Sequence, residues 1–135
     1  MPRPAPTDWR DAPQSPGDWY WKVSSGNSQA SFGPPGSPVA TLTCDSASRS
    51  VVLARTGPGG AAVPVTIRST FAVRTLTSDP TASQNGWITL HLNARDPLLD
   101  QIAFSRGRFT IEAAGLAPLY LPSWPEISRV IEDCR

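Results

Sequence analysis

The stretch VPVTIRSTFAV, residues 63–73, is the longest run of alternating side chains in the sequence. Val63, Val65, Ile67, Phe71 and Val73 fall on one face, and Thr66, Arg68, Thr70 and Ala72 on the other. That period of two is what a strand with one buried side requires. The run reads as one long strand, or as two strands meeting at a bend near Ser69. Pro64 has no amide hydrogen to give to a ladder, so this end belongs at a sheet edge or a strand start.

Working outward, the same period recurs between breaks. Toward the amino terminus, GPGGAA is a turn-rich break, and SVVLART before it reads as a strand. In VATLTC, Ala40, Leu42 and Cys44 alternate with Val39, Thr41 and Thr43, and SFGPPGSP is a further break. In DWYWKV, Trp19, Trp21 and Val23 share one face while Asp18, Tyr20 and Lys22 share the other, which makes both tryptophans core residues. Toward the carboxy terminus, SDPTASQNG ends in an Asn85-Gly86 pair suited to a tight turn. WITLHLNA then puts Ile88, Leu90 and Leu92 inward, and RFTIEA and PLYLP bury Phe109, Ile111, Leu119 and Leu121. Short alternating strands separated by turns predict a mainly β chain, a single antiparallel β-sandwich or partly open barrel.

Two short helices interrupt the pattern. In DPLLDQIAFSRG, Asp96 is a good N-cap, Pro97 suits the first helical position, and Gly107 can take the left-handed conformation that ends a helix. Leu98, Leu99, Ile102 and Ala103 would form its buried stripe. At the carboxy terminus, Ser123 and Glu126 have capping-box spacing, and Ile127, Val130, Ile131 and Cys134 fall at i, i+3, i+4 and i+7. Cys134 thus faces the core, as does Cys44 on its strand. A terminal helix with so short an apolar stripe would fray, and a bridge from Cys134 to Cys44 would prevent it. Closing a loop of about 90 residues is worth roughly 4–5 kcal/mol in the chain-entropy model. Two buried reduced thiols are the alternative. A disulfide implies an oxidising compartment.

At 135 residues the chain has the length of one domain, and 12 basic against 11 acidic residues leave no net field to attract nucleic acid. The basic residues are arginines except for Lys22, a compositional bias rather than a phosphate-reading surface. No apolar run is long enough to span a bilayer. Residues 1–17 carry Pro2, Pro4, Pro6, Pro13 and Pro16 without hydrophobic periodicity, and read as a flexible arm ahead of one β-rich domain over 18–135. Trp9, within that arm, is expected to matter little for stability. Such an arm suits a mature exported protein, periplasmic or secreted, whose removed leader could also have carried a lipid anchor. A cytosolic protein with a disordered amino terminus fits the same stretch.

No set of soft ligands has zinc spacing, and TSDPTASQNG lacks the acidic ladder of a calcium loop, so neither a metal nor another cofactor is expected. TGPGGAA has glycines but lacks the lysine and following helix of a phosphate-binding loop. His91, the sole histidine, alternates with Trp87, Thr89 and Asn93 on the polar face of its strand, and no G-x-S-x-G elbow occurs. The carboxylates are accounted for at caps, turns and the helix end. What remains is a candidate binding surface: Trp87 and His91 on a sheet face, with Arg106 and Arg108 flanking the glycine turn of FSRGRF. Guanidiniums and an exposed aromatic could hold an acidic or sugar-like group, though ordinary surface reads the same way.

The block ARDPLLDQIAFSRGRFTIEAAGLAPLYLPSWPEISRVIEDCR resembles the end of small exported proteins of alphaproteobacteria, in which a cysteine-bearing helix follows a β-rich body. Its layout is also similar to that of invasion-associated locus B-like periplasmic proteins, which pair a late cysteine with an earlier one, although this chain lacks their extra cysteines. The resemblance implies an exported protein and carries no activity with it. The expected function is therefore a non-enzymatic cell-envelope protein that binds a protein or envelope component. The alternative is an inhibitor of a secreted or periplasmic hydrolase, with TGPGGAAVP as its protruding loop. A hydrolase built on His91 would need an acid and a nucleophile beside it. Protein never exposed to reductant should have an intact mass about 2 Da below that of its reduced form, from the two hydrogens lost on S–S formation. Two titratable thiols in such material would refute the bridge.

Overall fold

A computed structural model describes residues 8–81 and 86–135. Among the described residues, nine strands form two antiparallel sheets. The first contains β1 (Asp18–Ser24), β2 (Asn27–Gly33), β3 (Ala40–Asp45), β4 (Ser50–Thr56) and β7 (Trp87–Asn93), in the order β1-β2-β3-β4-β7. The second contains β5 (Pro64–Arg68), β6 (Val73–Thr77), β8 (Arg108–Ala113) and β9 (Leu119–Pro122), in the order β6-β5-β8-β9. Helix α1 (Pro97–Ala103) precedes β8, and α2 (Pro125–Cys134) follows β9. The described residues are mainly β, with two short helices and no closed barrel among them. The Asn85-Gly86 turn expected before β7 involves residues 82–85, which lie outside the described residues.

Cross-strand register fixes the inner face of the first sheet. Trp19 lies opposite Phe32, Phe32 opposite Ala40, Ala40 opposite Arg55, and Arg55 opposite Ile88. The next row is Trp21, Ala30, Leu42, Leu53 and Leu90. Directly opposed residues share a face, so one register sends every apolar row to the same side. The alternation expected for β1 holds at Trp19, which is 3% exposed, weakens at half-buried Trp21 and fails at Val23, which is 61% exposed. Val23 shares the face, but it lies opposite Ser28 at the end of the sheet, where little covers it.

The opening stretch is two strands, β5 and β6, joined by a turn at residues 69–72. Val65 and Ile67 are fully buried. Phe71 and Val73, expected on the same face, are 58% and 57% exposed. The reason is parity. Ser69 N donates to Ala72 O at 2.9 Å, closing a turn with Thr70 and Phe71 at its tip. Register then pairs Ile67 with Arg74 and Val65 with Leu76. An even-numbered turn moves the inward positions from 65 and 67 to 74 and 76, so Val73 goes to the outer face. Pro64 opens β5 as its missing amide hydrogen requires, opposite Thr77.

Both helices lie against the core along their apolar stripes. Asp96 caps α1 by accepting from Leu98 N at 2.9 Å, and Leu98, Leu99 and Ile102 are buried. The helix stops at Ala103, so left-handed Gly107 serves the turn into β8 instead of terminating α1. Ile127, Val130, Ile131 and Cys134 of α2 are buried, and α2 packs on β1, β2, β3, β4 and α1. Its expected capping box does not form. Trp124 occupies the N-cap without a side-chain cap bond, because the Ser123 hydroxyl donates to Ile102 O at 2.9 Å and ties the start of α2 to α1. Cys44 and Cys134 are disulfide-bonded, with Cα atoms 5.4 Å apart.

The arm expected over residues 1–17 is not free along its described part. Trp9–Asp11 form a 3-10 turn against β8, and Ala12 is buried. Arg108 Nη1 donates to Ala12 O, and Ser15 and Tyr120 exchange two bonds of 2.9 Å, Ser15 N to Tyr120 O and Tyr120 N to Ser15 Oγ. These bonds attach residues 8–17 to β8 and to the edge strand β9 of the second sheet, and half-buried Trp9 goes with them. Residues 1–7 lie outside the described residues. Trp19→Ala removes a core ring and the Nε1 bond to Pro122 O (2.8 Å), and should cost roughly 3–5 kcal/mol in urea denaturation. Trp9→Ala should cost about 1 kcal/mol, as a half-buried contact on an anchored segment would. A Trp9 variant matching Trp19→Ala would mean that the arm is part of the core.

Candidate functional site

Of the four surface residues singled out by sequence, Trp87 and His91 stand on the outer face of β7, the last strand of the first sheet. Arg108 opens β8 in the second sheet, and Arg106 lies in the connection between α1 and β8. The structure therefore separates the four into two pairs. His91 Nε2 lies 3.4 Å from Asp79 Oδ2, both side chains being substantially exposed. Asp79 Oδ1 accepts from Thr81 N at 2.9 Å and from Thr81 Oγ1 at 2.7 Å, and Asp79 N donates to Thr89 O at 2.9 Å. His91 thus has the acid that a hydrolase reading requires, but among the described residues Asp79 is the only polar partner of its ring. These contacts tie the segment after β6 to β7, and Arg74 Nη1–Asp96 Oδ1 at 2.6 Å ties β6 to the start of α1.

Arg108 is half-buried, and its guanidinium is directed to Ala12 O, so it anchors the arm. Arg106 is exposed; its backbone N donates to Thr70 Oγ1 at 3.0 Å. It belongs to a tip that sequence reasoning passed over, where the 69–72 turn meets the connection after α1. Thr70 N donates to Ser105 Oγ at 2.9 Å, and Ser105 Oγ donates to Arg108 O at 2.6 Å. Phe71 and Phe104 project from the two joined segments. The signal available in the sequence was the pair of Ser-containing turns, each with one phenylalanine, but parity hid Phe71 by assigning it to the core.

No family model, curated protein or solved structure matches this chain. Its functional reading rests on its own residues. Among the described residues, no group of three or more His, Cys, Asp or Glu could hold a metal ion, and no helix is long and apolar enough to cross a membrane.

Electrostatics single out Arg55, which is 5% exposed on the inner face of the first sheet. Its Nη1 donates to Ile111 O at 3.1 Å and Ala117 O at 3.0 Å, and its Nε to Thr56 O at 2.9 Å. Burial lowers its pKa from the ordinary arginine value, which leaves it charged at neutral pH. Its carbonyl partners belong to the second sheet and to the loop leading to β9, so the residue joins the two sheets. Sequence alternation alone cannot reveal this, since Arg55 sits at an inward position that reads as apolar. Two acids on α1 are also tied to arginines. Arg135 hydrogen-bonds Asp100 at 2.7 and 3.0 Å and holds its carboxyl below the usual range. Burial opposes ionisation of Asp96, but bonds from Arg74 and Leu98 N outweigh it and hold that carboxyl low as well. Arg55→Met keeps the aliphatic volume and strands two carbonyls, and should cost about 1–3 kcal/mol by chemical denaturation. A neutral effect would mean that the inter-sheet bonds contribute nothing to stability.

Proposed function

We propose that this chain is a non-enzymatic binding protein of the cell envelope, working in the periplasm or outside the cell. The observation that carries the reading is the Cys44–Cys134 bridge, since structural disulfides persist in oxidising compartments and are rare where glutathione keeps thiols reduced. Binding, as opposed to chemistry, is favoured by how the polar side chains are used: Arg55, Arg108 and Arg135 each hold backbone carbonyls that fasten one segment to another. A second reading, inhibition of a secreted or periplasmic hydrolase, is favoured by one specific feature. The hydrogen-bonded turn at residues 69–72 could serve as the protruding loop it requires, beside the largely exposed 56–64 stretch expected from sequence. Cells quenched with acid and alkylated before lysis should yield the protein in the periplasmic or extracellular fraction with both cysteines protected. Recovery from the cytosol with both thiols alkylated would overturn the compartment and the reading built on it.

A further inference from the structure

Phe71 and Phe104 are 58% and 66% exposed, and together with Asp100 and Gln101 they line a shallow depression of about 210 Å³. Large apolar side chains at such exposure signal contact with something apolar when they are held in place rather than scattered. These two are held. Ser69 Oγ accepts from Phe71 N and Ala72 N, each at 3.1 Å. Thr70 and Ser105 then join the two segments through the bonds described above, so little conformational freedom remains to be lost on binding.

The charges around the tip are asymmetric. The two α1 acids are already neutralised, Asp100 by Arg135 at 2.7 Å and Asp96 by Arg74 at 2.6 Å. Arg106, attached through its backbone to Thr70, is exposed and forms no ion pair among the described residues. The tip therefore presents two aromatic rings beside one uncompensated cation. We propose that it docks on an anionic lipid surface, with Phe71 and Phe104 entering the boundary between headgroups and acyl chains and Arg106 meeting lipid phosphate. This deepens the envelope reading by naming its partner, and it rests on that reading for the presence of a membrane in the compartment.

Size decides between a membrane and a second copy of the chain. Two rings at these exposures offer roughly 200–300 Å² of apolar surface, whereas a stable protein pair buries about 800 Å² on each side. The patch is too small for a self-sufficient dimer interface and is suited to shallow insertion. A net charge of +1 gives no long-range attraction, so binding depends on the rings first and on Arg106 second.

The test is co-sedimentation of the oxidised full chain with vesicles of phosphatidylcholine alone and of phosphatidylcholine mixed with phosphatidylglycerol. The wild type should bind the mixed vesicles. F71S/F104S should lower the partition coefficient at least about tenfold with an unchanged melting temperature, because the lost rings are exposed. Arg106→Gln should weaken binding to mixed vesicles about fivefold and leave binding to phosphatidylcholine unchanged. No sedimentation of the wild type with mixed vesicles, or equal binding by the double variant, would overturn the proposal. So would a concentration-dependent dimer abolished by F71S/F104S in the absence of vesicle binding. Periplasmic recovery of the oxidised chain with no vesicle binding would remove the lipid partner while leaving the envelope reading in place.

Discussion

The placement of α2 is the constraint on which the rest of this structure depends. Ten residues closing the chain must cover the inner face of β1, β2 and β3, where Trp19, Ala30, Phe32 and Leu42 would otherwise meet water. A helix this short has little stability of its own in isolation, and burial of its stripe and a covalent tie supply what propensity cannot. The Cys44–Cys134 bridge fastens its last turn to the centre of the first sheet, and Ser123 fastens its start to α1. Arg135, one residue beyond the helix, donates to Ala94 O at 2.7 Å as well as to Asp100. Both ends of the helix are thus fixed, and the apolar rows beneath it can be continuous.

With α2 on one part of the first sheet, the second sheet need only cover the remainder. Polar contacts join the two sheets. Trp19 Nε1 joins β1 to the end of β9 through Pro122 O, Arg55 joins β4 to β8, Asp79 and His91 join the segment after β6 to β7, and Arg74 and Asp96 join β6 to α1. An inter-sheet arginine satisfied by carbonyls is a costly device, since burying a cation requires that its donors be well used. Here it serves in place of a further backbone ladder. The same logic accounts for the docked arm: residues 8–17 satisfy polar groups of β8 and β9 that would otherwise face solvent.

The surface left after these ties carries one pair of exposed aromatic rings lining a common depression. Trp87, His91, Arg106 and Arg108 were united in the sequence by residue type, but the two sheets separate them, and two of the four have structural duties. Phe71 and Phe104 are far apart in sequence and are brought together because the β5–β6 turn and the α1–β8 connection share hydrogen bonds through Thr70 and Ser105. An assembly of that kind is invisible to any reading that moves along the chain.

The sequence by itself determined the β class, the two helices, the inward faces of β3, β7 and β8, and the pairing of the cysteines. In each case one strong local period met a consistent partner: alternation at Ala40, Leu42 and Cys44, and helical spacing at Ile127, Val130, Ile131 and Cys134. Strand β2 was not legible, because Asn27–Gly33 alternates small polar and apolar residues and ends in a glycine that resembles the following break. The capping box failed because Ser123 had a competing carbonyl at Ile102, and the attachment of residues 8–17 was not legible because its partners, Arg108 and Tyr120, lie about a hundred residues away. Phe71 and Val73 failed on turn parity, which a period of two cannot report across a reversal. Tertiary structure alone decided which polar groups became ties and which aromatic rings stayed outside. The reason is that hydrogen bonds and exposure depend on what arrives opposite a residue, whereas periodicity records only which side of its own element it faces.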